Sequence, residues 1–269
     1  MELFKGMRGL CLLAALSFLS MAAHSAPKSK MIDFWNDYEP SSHLKINHSV
    51  WNSVLQKYVV TDHPTSVNRF RYDDVTDQDE QAIKDYVEYL QTWDPRQLNL
   101  DSKKAYWINL YNASVVSIVL RVEPENSVRS VSRIWKRKRF KIARQKMSLA
   151  DIEHGVIRPL SNDPRVNFGF FHGTVGAGNI LPVAFTGDNL DALLEENVRS
   201  FITQSSRGVD IQGNTLQVSS MFDWYKSDFG GSDDGVKNFI KQYVSSEIAS
   251  AIDQTTSIAY QYDWELNKP

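Results

Sequence analysis

A long segment near the middle of the chain constrains the fold most strongly, because it carries charge only at its ends. Between Lys103 and Val122 the residues are apolar on nearly every side of a helix. A helix without a polar face has to be buried on all sides. The sequence therefore predicts a central core helix over residues 103–122, around which the rest of the chain packs.

Aromatic and polar side chains interrupt this apolar segment, among them Trp107, Tyr111 and Asn112. A polar group that is buried without a partner costs on the order of 1–3 kcal/mol. These side chains are therefore expected to form hydrogen bonds across the core or to line a pocket. In the second case they are candidate ligand-binding residues.

The hydrophobic pattern contains more helices than strands, and the two are not regularly interleaved. Apolar residues at helical spacing predict helices over residues 47–60, 77–92, 188–203 and 234–252, the last with a break near Ser245. Alternating residues predict strands over 139–145 and 166–171, a hairpin over 208–218 that turns at Gly213-Asn214, and an edge strand over 257–262. This pattern favours an α+β fold, with helices packed on a small, mostly antiparallel sheet.

The first 25 residues are typical of a secretory signal. Lys5 and Arg8 give a positive start, an apolar run covers residues 10–21, and Ala23-His-Ser25 has the small residues of a cleavage site. The run is too short for a membrane span, which needs roughly 20 apolar residues. We expect a mature chain that begins near Ala26, has no transmembrane segment and is periplasmic or secreted.

No linker, repeat or low-complexity block divides the remaining chain, which predicts a loose arm over residues 26–42 and a single domain over residues 43–269. Cys11 is the only cysteine and lies within the signal, so the mature chain has no thiol. Disulfides, thiol nucleophiles and thiolate metal sites are thereby excluded. The formal net charge of −2 gives no overall field that would attract nucleic acid.

A capped helix that begins after Ser148 carries three candidate site residues. Ser148 and Asp151 have the spacing of a capping box. On this helix His154 and Arg158 share one face, and Glu153 points about a third of a turn away. The histidine and arginine could hold an anionic group. Alternatively, His154 satisfies hydrogen bonds of the core and Arg158 caps a neighbouring carbonyl or carboxylate.

The glycine-rich segment over residues 163–182 places His172 directly after a predicted strand. A side chain at a strand end can project into a cleft, where nucleophiles and general bases are often displayed. Arg165, near the start of the segment, is a further candidate ligand-binding residue. His154 and His172 could also bind a metal together with Asp163, Glu153 or Asp151, but the spacing of a metal-binding motif is absent and no metal is assigned.

The glycines of this segment do not predict a nucleotide site. Gly173, Gly176 and Gly178 are followed by Leu181-Pro182 and not by a helix. No Lys-Ser or Lys-Thr pair completes a phosphate loop. We therefore expect neither a nucleotide nor another cofactor.

Four sequence blocks occur in an order that is similar to one known family. They are Ala105–Ala113, Ser148–Arg158, Asp163–Pro182 and Ser219–Gly231. With them the chain resembles the domain-of-unknown-function 547 family from about residue 48 to residue 267. In the family pattern a cysteine commonly stands at the position of His172 and a second one at that of Ala177. The resemblance implies an enzyme-like scaffold, with a histidine such as His154 as the base for a thiolate, from which this chain has lost the thiol.

Two functions lead, beside a third class of a purely structural periplasmic partner without a cleft, and they leave undecided whether the chain is an enzyme. The first is an exported, cleft-bearing binding module for an unknown envelope ligand, such as an anionic polymer or a peptide. The second is a hydrolase that acts on an amide or ester through His172 and His154, with or without a metal. Candidate catalytic residues are His172, His154 and Glu153, and candidate ligand-binding residues are Arg158, Arg165, Tyr111, Asn112 and Trp107.

A basic strip over residues 129–144 contains several lysines and arginines and no acidic residue. In an exported protein such a strip could contact anionic envelope polymers, lipid headgroups or nucleic acid. It could equally be the solvated face of a hairpin.

Overall fold

A computed structural model describes residues 26–204 and 206–269. The predicted signal over residues 1–25, with Cys11, lies outside the described residues. The helices are α1 (Ser49–Tyr58), α2 (Asp77–Gln91), α3 (Leu100–Val122), α4 (Leu149–Ile152), α5 (Arg158–Ser161), α6 (Leu190–Thr203), α7 (Met221–Trp224), α8 (Asp233–Lys241) and α9 (Ser246–Asp253). The strands are β1 (Val59–Val60), β2 (Arg69–Phe70), β3 (Phe140–Ile142), β4 (Gln145–Met147), β5 (Asp210–Gln212), β6 (Thr215–Ser219) and β7 (Ser257–Gln261).

Helix α3 is the core helix that the sequence predicts. Its side chains are buried without a break from Ala105 to Val116. It begins a few residues before the predicted start, because the Asn99 side chain accepts a hydrogen bond from the backbone N–H of Ser102 at 3.0 Å and so caps the first turn. It ends at Glu123, whose left-handed φ of 48° cannot continue a right-handed helix.

The strands form three small sheets around this helical core. Strands β1 and β2 pair antiparallel, as do β3 and β4, and the third sheet has the order β5-β6-β7. Within it β5 and β6 form the predicted hairpin, but β7 runs parallel to β6 along its edge. The α+β prediction is confirmed, with one mixed sheet among the antiparallel pairs.

Two predicted strands have a different form. The strand over 139–145 is a hairpin, because Ala143 and Arg144 both adopt positive φ, of 43° and 67°, and turn the chain from β3 into β4. The strand over 166–171 is a 3-10 helix (Pro164–Phe168) followed by a segment without regular secondary structure. There the Asn112 side chain accepts from the N–H of Phe171 at 2.8 Å and donates to the carbonyl of Gly169 at 2.9 Å. A side chain of α3 thus replaces the sheet partner of this segment.

The arm over residues 26–42 packs on the fold and is not loose. The N–H groups of Lys30 and Ile32 donate to the carbonyls of His154 and Gly155, at 3.0 and 2.8 Å. These carbonyls lie one turn before Pro159, which has no N–H to offer them. The buried ammonium of Lys103 donates to the carbonyls of Trp35 and, at 2.8 Å, Asp37.

Two hydrophobic clusters meet at the glycine-rich segment. Phe170 and Phe171 belong to the cluster around α3, whereas Phe168 belongs to a second cluster with Phe222 and Phe239, beside the third sheet. Within the described residues, no helix is long and apolar enough to cross a membrane.

Candidate functional site

A buried carboxylate, Glu153, is the centre of the candidate site. Its Oε2 accepts a hydrogen bond from the hydroxyl of Tyr111 at 3.0 Å, and its Oε1 accepts one from the hydroxyl of Tyr225 at 2.5 Å. The Nε2 of His172 lies 3.5 Å from Oε2, and the Nδ1 of His154 lies 3.8 Å from Oε1. The two histidines singled out in the sequence therefore flank opposite oxygens of one carboxylate.

An irregular helix brings Glu153 and His154, although adjacent in sequence, to the same place. The predicted capping box is present, because Ser148 and Asp151 each accept a backbone N–H of the other. After α4 the chain widens into a π-helical turn (Glu153–Ile157), in which the N–H of Arg158 donates to the carbonyl of Glu153. Single π turns inside α-helices occur frequently at functional sites. Here the wider turn directs both side chains into the interior.

His154 is fixed by a buried ion pair. The guanidinium of Arg158 donates to the Asp228 carboxylate through Nε and Nη2, at 2.7 and 2.9 Å. Its Nη1 lies 3.1 Å from the Nδ1 of His154 and 2.9 Å from the carbonyl of Pro27. Because a guanidinium can only donate, Nδ1 accepts, and the proton of the neutral imidazole is assigned to Nε2.

The environment sets the protonation of these groups. Burial lowers the pKa of His154, helped by the charges of Arg158 and His172, although Glu153 opposes the shift. Burial by itself would raise the pKa of Glu153, but the neighbouring imidazoles of His154 and His172 and the hydrogen bonds from His172 and Tyr225 bring it below the usual value. Burial and the charge of Glu153 raise the pKa of Tyr111 and Tyr225 well above 10, so both hydroxyls remain donors.

His172 lies between aromatic rings at the end of the irregular segment that follows the 3-10 helix (Pro164–Phe168). Its ring centroid is 5.8 Å from that of Tyr111 and 5.5 Å from that of Trp135, both edge-on, and the residue is 7% exposed. Among the described residues no hydrogen-bond partner occupies its Nδ1. Gly173 follows with φ of 74°, and a Cβ there would lie 3.0 Å from a methyl of Val128. The chain turns sharply after His172, in a space that only glycine fits without displacement.

We call Tyr111, Glu153, His154, Arg158, His172, Tyr225 and Asp228 the Glu153 cluster. The other predicted site residues lie outside it. Arg165 forms ion pairs with Asp163 and Asp191, at 2.9 and 2.7 Å. Trp107 is fully buried against Trp35 and Tyr106. Asn112 acts on the backbone before His172, as described above.

Tyr225 and Asp228 are members of the cluster that the sequence analysis did not identify. Both lie in the block Ser219–Gly231, which was noted only for its family resemblance, and Asp228 lies in a 3-10 turn (Lys226–Phe229) that ends before Gly230 at φ 92°. An acidic residue in a buried turn is a signal for a buried cation, but nothing in the sequence indicates that this cation is Arg158.

The described residues contain no group of three or more His, Asp or Glu side chains placed to hold a metal ion. A cavity of about 600 Å³ lies elsewhere, at the start of α3, and its lining includes Tyr38, Lys45 and Asp101. No member of the Glu153 cluster lines it.

The fold and site define an α+β protein with a buried carboxylate between two histidines, built on a central helix. Residues 95–202 match the model of a family described as "Protein of unknown function, DUF547", which supports the resemblance of this segment to that family. The match contains three of the four blocks, while the block that provides Tyr225 and Asp228 follows it. Comparison with curated proteins gives no match. Comparison with solved structures gives none either.

Proposed function

We propose that this protein is an exported binding module on an enzyme-like scaffold, in which the Glu153 cluster holds the fold together and no longer performs chemistry. The observation that carries the proposal is that the polar atoms of Glu153, Arg158 and Asp228 and the Nδ1 of His154 are engaged within the cluster. Both oxygens of Glu153 accept tyrosine hydroxyls, and the Nδ1 of His154 is occupied by Arg158.

A histidine held in this way is a poor general base. A base needs a free lone pair within about 3 Å of the proton that it removes. In His154 the lone pair of Nδ1 faces a guanidinium, and removing the proton of a neutral imidazole from Nε2 is not accessible near neutral pH. His172 stands where the family pattern commonly has a cysteine. An imidazole does not replace a thiolate in acyl transfer without a change of mechanism.

The proposed location and ligand rest on the N-terminal segment and on the surface. The signal-like residues 1–25 support export, and an exported binding module meets envelope polymers. In the basic strip Lys138 pairs with Asp151 at 2.5 Å, while Arg133, Lys136 and Arg137 are exposed. The strip therefore offers cationic groups at the surface to an anionic polymer or peptide.

The proposal is tested with the mature chain from Ala26 onward and purified peptidoglycan sacculi. The wild-type protein is expected to sediment with the sacculi, and His172→Gln is expected to sediment equally, while neither releases soluble fragments. A release of fragments that His172→Gln abolishes would overturn the proposal. Failure of the wild-type protein to sediment would remove this envelope material as its ligand.

A second candidate function, hydrolysis of an amide or ester, is favoured by one observation. Glu153 faces the Nε2 of His172, while the Nδ1 of His172 has no partner among the described residues. A carboxylate that orients an imidazole with a free nitrogen is an arrangement that can activate water. Its test is hydrolysis of p-nitrophenyl acetate and of a p-nitroanilide peptide, which His172→Gln and Glu153→Gln would both have to abolish. For a metal-dependent hydrolase, the described part of the chain contains no group of three or more side chains placed to bind a metal ion.

A further inference from the structure

Three aromatic side chains form a half-buried surface beside the Glu153 cluster. The ring centroid of Tyr262 lies 4.6 Å from those of Trp224 and Trp264, which are 5.5 Å from each other. The guanidinium of Arg129 lies 5.1 Å above the ring of Trp264. All three residues are partly exposed, their rings are tilted by 39° to 57° to one another, and Arg129 is exposed. We call Trp224, Tyr262 and Trp264 the aromatic platform.

The platform is fixed to the glycine-rich segment that carries His172. The hydroxyls of Tyr262 and Thr174 are 2.6 Å apart, and the N–H of Gly176 donates to the carbonyl of Asp263 at 2.9 Å. A Cβ at Gly176 would lie 2.8 Å from that carbonyl and 3.0 Å from the Tyr262 ring. The close approach therefore depends on glycine. This contact holds the platform rigidly, so little conformational entropy would be lost when a ligand binds.

Trp224 and Tyr225 connect the platform to the cluster on its other side. They are neighbours at the end of α7, and the Tyr225 hydroxyl bonds Glu153 whereas the Trp224 ring packs on Tyr262. Tyr225 is only 4% exposed, and its fixed position anchors the more exposed Trp224 next to it.

We propose that the aromatic platform binds the sugar rings of a neutral polysaccharide. One face of a pyranose ring carries C–H groups and is apolar, while its hydroxyls point outward. Flat aromatic rings match the apolar face, and a few polar groups at the edge give orientation. The edge of the platform has such groups, since Asp263 and Glu265 are exposed on either side of Trp264 and Asp223 precedes Trp224.

The charges around the platform disfavour other ligands. The exposed carboxylates of Asp263 and Glu265 would repel the phosphates of a nucleic acid and the charges of an acidic polymer, whereas Asp223 is paired with Lys226 at 3.0 Å. Arg129 already occupies a face of Trp264, and it would repel a cationic ligand seeking the same ring. An apolar peptide helix needs a longer uncharged groove than three rings bordered by acids. Carboxylates and a guanidinium are, in contrast, ordinary hydrogen-bond partners for sugar hydroxyls.

This inference deepens the proposed binding function and rests on it, but it assigns the ligand to the platform and not to the basic strip. The experiment is isothermal titration calorimetry of the mature chain with two neutral sugars, the β-1,4-linked tetramer of N-acetylglucosamine and cellotetraose. Polygalacturonate is the acidic comparison ligand. Binding of at least one neutral tetramer is expected. Trp264→Ala is expected to weaken it about tenfold, which is the upper range for one aromatic contact.

Two controls keep the result interpretable. Arg129→Ala changes an exposed residue and tests the platform even if Trp264→Ala fails to fold, and it is expected to weaken binding by a smaller factor. Arg137→Ala removes an exposed cation of the same strip and is expected to bind like the wild type. The inference is overturned if neither neutral tetramer binds, if Trp264→Ala weakens the binding of polygalacturonate and not that of a neutral tetramer, or if folded Trp264→Ala and Arg129→Ala both bind normally.

The two proposals can fail separately. Sedimentation with sacculi that is insensitive to Trp264→Ala and Arg129→Ala would overturn the platform and leave a binding module with another ligand surface. Hydrolysis that depends on His172, together with tetramer binding that depends on Trp264, would overturn the binding-only function and leave the platform as a sugar subsite.

Discussion

The Glu153 cluster and the aromatic platform share a short stretch of chain but differ in how their polar groups are used. In the cluster each charge is buried and paired, with the Arg158 side chain 1% exposed and that of Asp228 17% exposed. At the platform the rings are partly exposed and the neighbouring carboxylates of Asp263 and Glu265 face solvent. Buried, mutually satisfied groups contribute mainly to a unique packed structure. Accessible rings with free polar neighbours remain available to a ligand. Substitutions in the cluster should therefore affect stability most, and those in the platform should affect binding.

The largest expected effect is that of Asp228→Asn, which removes the acid of the buried ion pair. Arg158 would then keep its charge without a counter-charge, and breaking a buried pair in this way costs about 3–5 kcal/mol. Denaturation by urea should show a loss of this order in the free energy of unfolding. Asp191→Asn is the matched control, because this partner of Arg165 has a side chain that is 86% exposed. A small loss in Asp228→Asn would mean that the cluster does not hold the fold together.

A smaller loss is expected for Tyr225→Phe, which keeps the ring and removes one donor to Glu153. The buried Oε1 would lose its 2.5 Å hydrogen bond, and an unsatisfied buried acceptor costs about 1–3 kcal/mol. The free energy of unfolding measured in urea checks this value, and Tyr38→Phe at an exposed position is the control. If the two variants were equally stable, the hydroxyl would have a role other than satisfying Glu153.

Acid should destabilise the protein through the same cluster. The pKa of His154 is lowered by burial, so the unfolded chain binds a proton that the folded chain does not. The resulting stability is fully present above the unfolded pKa of about 6.5 and is lost as the pH falls toward the lower folded value. Glu153, whose pKa is also lowered, adds a second loss below about pH 4, where the unfolded carboxyl takes up its proton.

Unfolding in urea at pH 7.5 and pH 5.5 measures the first of these losses together with that of His48, whose pKa burial lowers to about 4. His154→Gln should reduce the difference in unfolding free energy between the two pH values, whereas substitution of the exposed His43 by Gln should leave it unchanged. The same pH difference in His154→Gln and the wild type would show that His154 does not carry it.

How much of the fold and the site could be predicted from the sequence depends on how far apart in the chain the interacting residues lie. Helix α3 follows from a local pattern, and Glu153, His154 and His172 are recognisable by residue type near glycine or a helix cap. Asp228 meets Arg158 across 70 positions, and no local pattern specifies that pair. The strand predicted over 166–171 failed for the same reason, because the side chain of Asn112 on α3 takes the backbone groups that a neighbouring strand would have used.

The smallest effect on stability is expected at the platform, for Arg129→Ala. An exposed guanidinium over a tryptophan contributes about 0.5–1 kcal/mol, so the urea midpoint should change little. The same substitution should weaken binding of a neutral tetrasaccharide, because the guanidinium over the Trp264 ring would no longer donate hydrogen bonds to sugar hydroxyls. Comparing the two measurements on one variant sharpens the contrast with Asp228→Asn, which should lose stability first. If Arg129→Ala lowered the free energy of unfolding as much as Asp228→Asn and left sugar binding unchanged, the proposed difference between the two regions would be wrong.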